Sequence, residues 1–219
     1  MAAGRRVYTS ETASTACQRR PGCQRSVQNK VLVEKLRAAE LLHPRVSLWT
    51  MDEHRIGLKP IRRQIWAPTG QPLTCPVHPR YEWLYIYAFV CPETGESRFW
   101  LMPTLNKDAY QRVMAAFART VDASAEHHVL VVEDGGGFHV PAEQGHPLGI
   151  ETIKLPAYSP ELQPAERLWR LTDATVANRW FASLDDLWNA LYEQCAWLET
   201  QADTLTQQTL FHWWPLYAN

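Results

Sequence analysis

The chain has 219 residues, of which 46% are hydrophobic and 21% charged; these are the proportions of one globular domain, and they exclude a fibrous repeat, a disordered polymer or a large multidomain machine. A formal net charge of -1 hides an asymmetry, since residues 1–37 hold eight Lys/Arg against two Glu and leave 14 basic and 21 acidic residues for the remainder. The longest nearly uninterrupted apolar run, 83–91, is about half the length a membrane helix needs, and no apolar stretch follows Arg5-Arg6 as a secretory signal requires, so no membrane partner is expected and the expected compartment is the cytoplasm.

Residues 1–30 are rich in Arg, Ser, Thr and Gln without periodicity and read as an irregular basic tail. The pattern VLVEKLRAAELL predicts a short linker helix within 31–45, broken at His43-Pro44. Everything from 46 to 215 reads as one domain. Val46, Leu48 and Thr50 alternate with Ser47, Trp49 and Met51 in a strand that runs into Asp52 and ends there. Residues 64–66 and 82–90 are aromatic and β-rich, 91–95 a hairpin loop and 97–102 another strand, together an antiparallel meander. Helical spacing returns over 106–121, with Tyr110, Val113, Met114 and Phe117 on one face. An apolar strand at 128–132 delivers Glu133-Asp134 and stops at three glycines, and a short strand follows at 152–155. Pro164 suits a first helical position and predicts a helix over 164–178. A second helix starts at Ser183, capped with the help of Asp186.

Two further features bear on packing. The five cysteines form no C-x-x-C pair, which argues for reduced thiols over a disulfide framework or a zinc site. Trp180, Trp188 and Trp197 are expected in the core, whereas Trp213-Trp214 beside Phe211 dock either on the domain or on a second protomer.

Asp52, Asp134 and Glu166 stand at the ends of three elements far apart in sequence. If the first and central strands are parallel neighbours, their carboxyl ends share one sheet edge, and a helix packed there presents Glu166. Carboxylates so grouped repel unless a cation neutralises them, and hard oxygen ligands in this number select Mg²⁺ or Mn²⁺. Two such ions support in-line phosphoryl displacement, the chemistry of nucleases and strand transfer. Each acid has a blander reading: a solvated strand end for Asp52, a turn residue for Asp134, a favourable helix-dipole charge for Glu166. Glu53 and Glu133 adjoin the two aspartates, and alternation alone does not say which member of each pair faces the site. A cationic stretch, 55–80, carries Arg55, Lys59, Arg62, Arg63 and Arg80 without one acidic residue, a footprint suited to phosphate backbones.

Three segments, MDEHRIGLKP (51–60), VLVVEDGGGFH (129–139) and LPAYSPELQPAERLW (155–169), together resemble the catalytic domain of bacterial insertion-sequence transposases in the mariner-like superfamily. The resemblance extends over roughly 40–215 and implies a ribonuclease H-like α/β fold, a mixed sheet flanked by helices with an acidic triad at one edge. It implies Asp52, Asp134 and Glu166 as catalytic, metal-holding acids, with two Mg²⁺ or Mn²⁺ ions; on that reading Arg55, Lys59, Arg62, Arg63 and Arg167 are the expected DNA-binding residues. The expected reaction is metal-dependent DNA cleavage at transposon ends followed by transfer of the freed 3′ hydroxyl to target DNA. Gly135 and Gln163 depart from the commonest family pattern, where Asn often stands; His139 matches it and is left outside the triad. Transposases of this kind usually carry helix-turn-helix modules at the amino end. The irregular residues before Asp52 hold no complete pair, so a truncated or split copy is expected. The resemblance leaves room for a homodimer and for a separate chain that supplies the DNA-reading region. The competing expectation is a catalytically silent DNA-binding remnant.

Overall fold

The structure, a computed structural model, describes residues 21–64, 79–140, 145–157 and 159–216. Among the described residues a 22-residue helix, α1 (Pro21–Leu42), comes first, starting ten residues ahead of the amphipathic pattern that predicted it. Pro21 has the fixed φ that suits a first helical turn. Gln28, Leu32, Leu36 and Ala39 then form a buried stripe whose first member is polar, which is why the apolar period misses it. Of the predicted irregular tail, 21–30 are therefore helical, and 1–20 lie outside the described residues.

Five strands follow: β1 (Arg45–Gly57), β2 (Trp83–Val90), β3 (Ser97–Met102), then helix α2 (Lys107–Thr120), β4 (His127–Glu133) and β5 (Ile150–Lys154). The sheet order is β3-β2-β1-β4-β5. β1, β2 and β3 form an antiparallel meander, with β1 in the place expected for 64–66, while β4 pairs parallel with β1, and β5 parallel with β4. Gln64 belongs to no strand, and 65–66 lie outside the described residues. Two short 3-10 turns, Pro160–Leu162 and Pro164–Leu168, lead into α3 (Trp169–Val176), α4 (Leu184–Leu198) and α5 (Ala202–Thr209). Ser183 and Asp186 form the capping box that local sequence predicts for α4.

The sheet is covered on both faces, as a mixed α/β sheet requires. On one face α2 packs over Trp49, Met51, Tyr87, Phe89 and Val131, with the Phe89 and Phe117 rings stacked at 4.0 Å. On the other, α1 covers Leu48, Leu130 and Val132 with help from Trp213 and Trp214. There α3, α4 and α5 close over Ile56, Leu84, Ile86 and Ala88. Trp213 and Trp214 thus dock on their own domain. Trp188 packs at the edge of the core as expected, but Trp180 and Trp197 are 50% and 52% exposed. Cys91 and Cys195 are buried and form no disulfide among the described residues. Among the described residues no helix is long and apolar enough to cross a membrane.

Candidate active site

The parallel pairing of β1 with β4 ends at Thr50 opposite Val132. Two residues further along each chain stand Asp52 and Asp134. Asp52 does not close its strand: β1 runs on to Gly57 because β2 continues to pair with it as far as Trp83. The first acid therefore sits on a strand held from one side and open on the other, level with the point where β4 has stopped. Even-numbered β1 residues share the face of α1 and α3, so Asp52 points there and Glu53 points toward α2.

Glu166 comes from the Pro164–Leu168 turn, a 3-10 segment and not the first turn of an α-helix. Gln163, buried just before Pro164, ties that turn to the first strand: its Nε2 donates to the Met51 carbonyl at 2.8 Å, and its Oε1 accepts from the Thr50 hydroxyl. Asp52, Asp134 and Glu166 line one cleft of about 450 Å³ together with Gly135, Gly136 and Gln163. No Lys, Arg or His among the described residues lines it.

The electrostatics follow from burial and crowding. Burial pushes the Asp52 carboxyl up from an ordinary 3.8 to about 7, with Glu53 and Glu166 adding to the rise and a hydrogen bond from Trp169 opposing it. Glu166 is also held above the usual carboxylate range, by burial and then by Asp134. Trp169 Nε1 donates to Asp52 Oδ2 at 2.7 Å, and its indole stacks on His54, which in turn meets Asp173 at 2.9 Å. Asp134 is 55% exposed, and its Oδ1 accepts the Gly136 N–H at 2.8 Å. A Cβ on Gly136 would stand 3.2 Å from that oxygen and 3.1 Å from His139 and from Phe138, so a side chain there would press on all three.

Behind the cleft, on the α2 face, lies a second group: Glu53, Glu133, His139 and Tyr110. One donor atom each from Glu53, Asp134 and His139 lies within 4.8 Å of the other two. Burial and then the acids Asp134 and Glu133 raise the Glu53 pKa, against the His139 contact. Burial opposes a charged His139, but Glu53, Glu133 and the Asp134 carbonyl outweigh it and raise the imidazole pKa. Sequence reasoning named Gln163, His139, Glu53 and Glu133 without giving them partners; the bonds from Trp169 to Asp52 and from Tyr110 to Glu133 it did not foresee.

Residues 47–188 match the family model described as DDE superfamily endonuclease. The chain belongs to that family. A relative, uncharacterized protein y4pE/y4sA of Sinorhizobium fredii (strain NBRC 101917 / NGR234), is 34% identical over 120 residues, which is 51% of this chain and 87% of the relative. Among solved structures, the Mos1 strand transfer complex superposes with a TM-score of 0.56 at 20% identity, over 96% of this chain and 64% of that one. The Mos1 mariner paired end complex with Mn gives 0.56 at 18% identity, over 100% and 68% of the two chains. At these identities the likeness is one of fold, the ribonuclease H-like mixed sheet flanked by helices. The DDE domain spans about two thirds of the Mos1 chain it matches.

The five cations expected on DNA are all exposed, and none lines the acid cleft of the DDE domain. Arg55 lies over the Trp83 ring at 5.3 Å and Lys59 over Tyr81 at 3.4 Å. Arg63 donates to the Arg170 carbonyl at 3.0 Å, and Arg167 lies over Phe211 at 5.5 Å.

Proposed function

We propose that this DDE domain is the catalytic part of an insertion-sequence transposase, which cuts DNA at element ends and transfers the freed 3′ hydroxyl to target DNA. The observation that carries the reading is the meeting of three acids from three elements, Asp52, Asp134 and Glu166, on one cleft that no described cation lines. Such a donor set fits hard divalent ions. The paired end complexes of Mos1 with Mn and with Mg lend support through the shared fold.

Asp52, Asp134 and Glu166 would hold two Mg²⁺ or Mn²⁺ ions. When bound, such ions supply an activated oxygen nucleophile and neutralise charge on the transferring phosphate. The chain itself orients the acids. Trp169 fixes the Asp52 carboxylate, Gln163 holds the Glu166 turn against β1, and Gly136 lets the chain fold back on Asp134. Arg55, Lys59, Arg62, Arg63 and Arg167 are exposed and offer charge to DNA phosphates flanking the cleft. Element ends and target DNA are the nucleic-acid partners; a second copy and a separate chain carrying helix-turn-helix modules are the protein partners.

The test is incubation of the full chain with Mg²⁺ or Mn²⁺ and DNA carrying its element's terminal repeats. Cleaved 3′-hydroxyl ends and joined products are expected, and Asp134→Asn should abolish both. Equal cleavage by the variant overturns the mechanism. DNA retention without any product from the wild type leaves a silent DNA-binding remnant in its place.

A further inference from the structure

Each aspartate of the cleft has a glutamate as its chain neighbour, and strand alternation sends both glutamates to the opposite face. There, beneath α2, Glu53 and Glu133 have side chains 6% and 0% exposed, with His139 between them at 1%. His139 Nε2 lies 3.2 Å from Glu53 Oε1. Its Nδ1 lies 3.0 Å from the main-chain carbonyl of Asp134 and 3.7 Å from Glu133 Oε2. Tyr110 donates its hydroxyl to that same Glu133 oxygen at 2.7 Å.

Two buried carboxylates around one imidazole are a costly way to gain stability, because the desolvation of such groups offsets most of their attraction. What the arrangement does achieve is connection. The β4–β5 ladder gives out at Glu133, whose carbonyl accepts the Leu155 N–H at 2.8 Å. Asp134 is the first residue beyond it. Its carbonyl is taken by His139, which in turn is held by Glu53, the residue beside Asp52 on β1. Both ring nitrogens are thus engaged, one on each strand, so the trio of Glu53, Asp134 and His139 is spanned by the imidazole itself.

We propose that Glu53 and His139 are positioning residues: together they clasp the main chain at Asp134 to β1, and so set where the Asp134 carboxylate stands relative to Asp52, without touching metal or DNA. The proposal rests on the reading of Asp52, Asp134 and Glu166 as the metal-holding acids. Residues that orient a ligand from behind are typically worth roughly 10- to 100-fold in metal affinity.

The test is Mn²⁺ affinity of the full chain without DNA, followed by electron paramagnetic resonance of the free ion, with melting in EDTA as a check on folding. His139→Leu removes both contacts and should weaken Mn²⁺ at least tenfold. Asn at this position places its side-chain N–H where Nδ1 stood but cannot reach Glu53, so His139→Asn cuts the link to β1 and should also weaken Mn²⁺ about tenfold. His139→Gln reaches only toward Glu53 and should behave like His139→Leu. Where His139→Leu fails to fold, the Asn and Gln variants decide, and wild-type affinity in either overturns the clasp. So does wild-type affinity in His139→Leu while Asp134→Asn loses the ion. A wild type that binds no Mn²⁺, or an Asp134→Asn that binds as well as wild type, overturns the assignment of the acids and the clasp with it.

Discussion

Trp169 Nε1 donates to Asp52 Oδ2 at 2.7 Å, so the first acid is gripped by an indole one turn of chain beyond the third. The bond favours the ionised carboxylate and opposes the upward pressure of burial. Trp169→Phe keeps a ring at this position and removes the donor. The apparent pKa of Asp52 should then rise above 7, and Mn²⁺ binding should need a higher pH to reach half-saturation. A pH series of binding isotherms measures the shift; superimposable midpoints for variant and wild type contradict it.

Asp52 also makes the metal-free domain sensitive to pH. Its pKa is about 7 when folded and near 3.8 when unfolded. The folded state therefore holds the proton more tightly, and stability falls as pH rises from about 4 through about 7. Asp52→Asn carries no such penalty. In EDTA it should stabilise the domain at pH 8 by roughly up to 4 kcal/mol, the ceiling set by about 1.4 kcal/mol per pKa unit, and leave it nearly unchanged at pH 4. Chemical denaturation at the two pH values reads the difference directly.

Gln163 ties the Pro164 turn to β1 through two buried hydrogen bonds. Gln163→Leu would leave the Thr50 hydroxyl and the Met51 carbonyl without their buried partner, at a cost of roughly 1 to 3 kcal/mol per unsatisfied group. Asn is one methylene shorter and cannot span both contacts. Gln163→Asn should fall between the wild type and Gln163→Leu in urea denaturation.

The three glycines after Asp134 should respond differently to alanine. A Cβ at Gly136 crowds Asp134 Oδ1, Phe138 and His139, whereas one at Gly135 or Gly137 meets nothing within 4 Å. Gly136→Ala should lower metal-dependent cleavage by tenfold or more while Gly135→Ala and Gly137→Ala stay within about threefold. Parallel cleavage assays of the three variants decide it.

Strand β3 and the cap of α4 were legible residue by residue, because a hairpin loop at 91–95 and a Ser183–Asp186 pair are local chemistry. The three cleft acids were legible as candidates because each lies in one of the three segments that carry the family resemblance. Less was visible where distant groups decide. β1 outruns its apolar alternation because His54 finds Asp173 and β2 keeps pairing to Gly57. The Pro164 segment stays 3-10 because Gln163 pins it to β1 before an α-helical turn is complete. Both faces of β1 and β4 are apolar, so alternation had no solvent side to orient it, and the division of labour between Asp52 and Glu53 needed the helices in place.

The neighbouring pairs Asp52-Glu53 and Glu133-Asp134 run in opposite order along two parallel strands, and this gives the sheet a proofreading quality. If β1 slid by one residue, Asp52 would enter the aromatic layer near Tyr87 and Phe117, and Glu53 would turn away from the imidazole that neutralises it. Such a slip would also carry Asp52 out of the cleft it shares with Asp134 and Glu166. The stability of the sheet and the alignment of the three acids therefore depend on one and the same register.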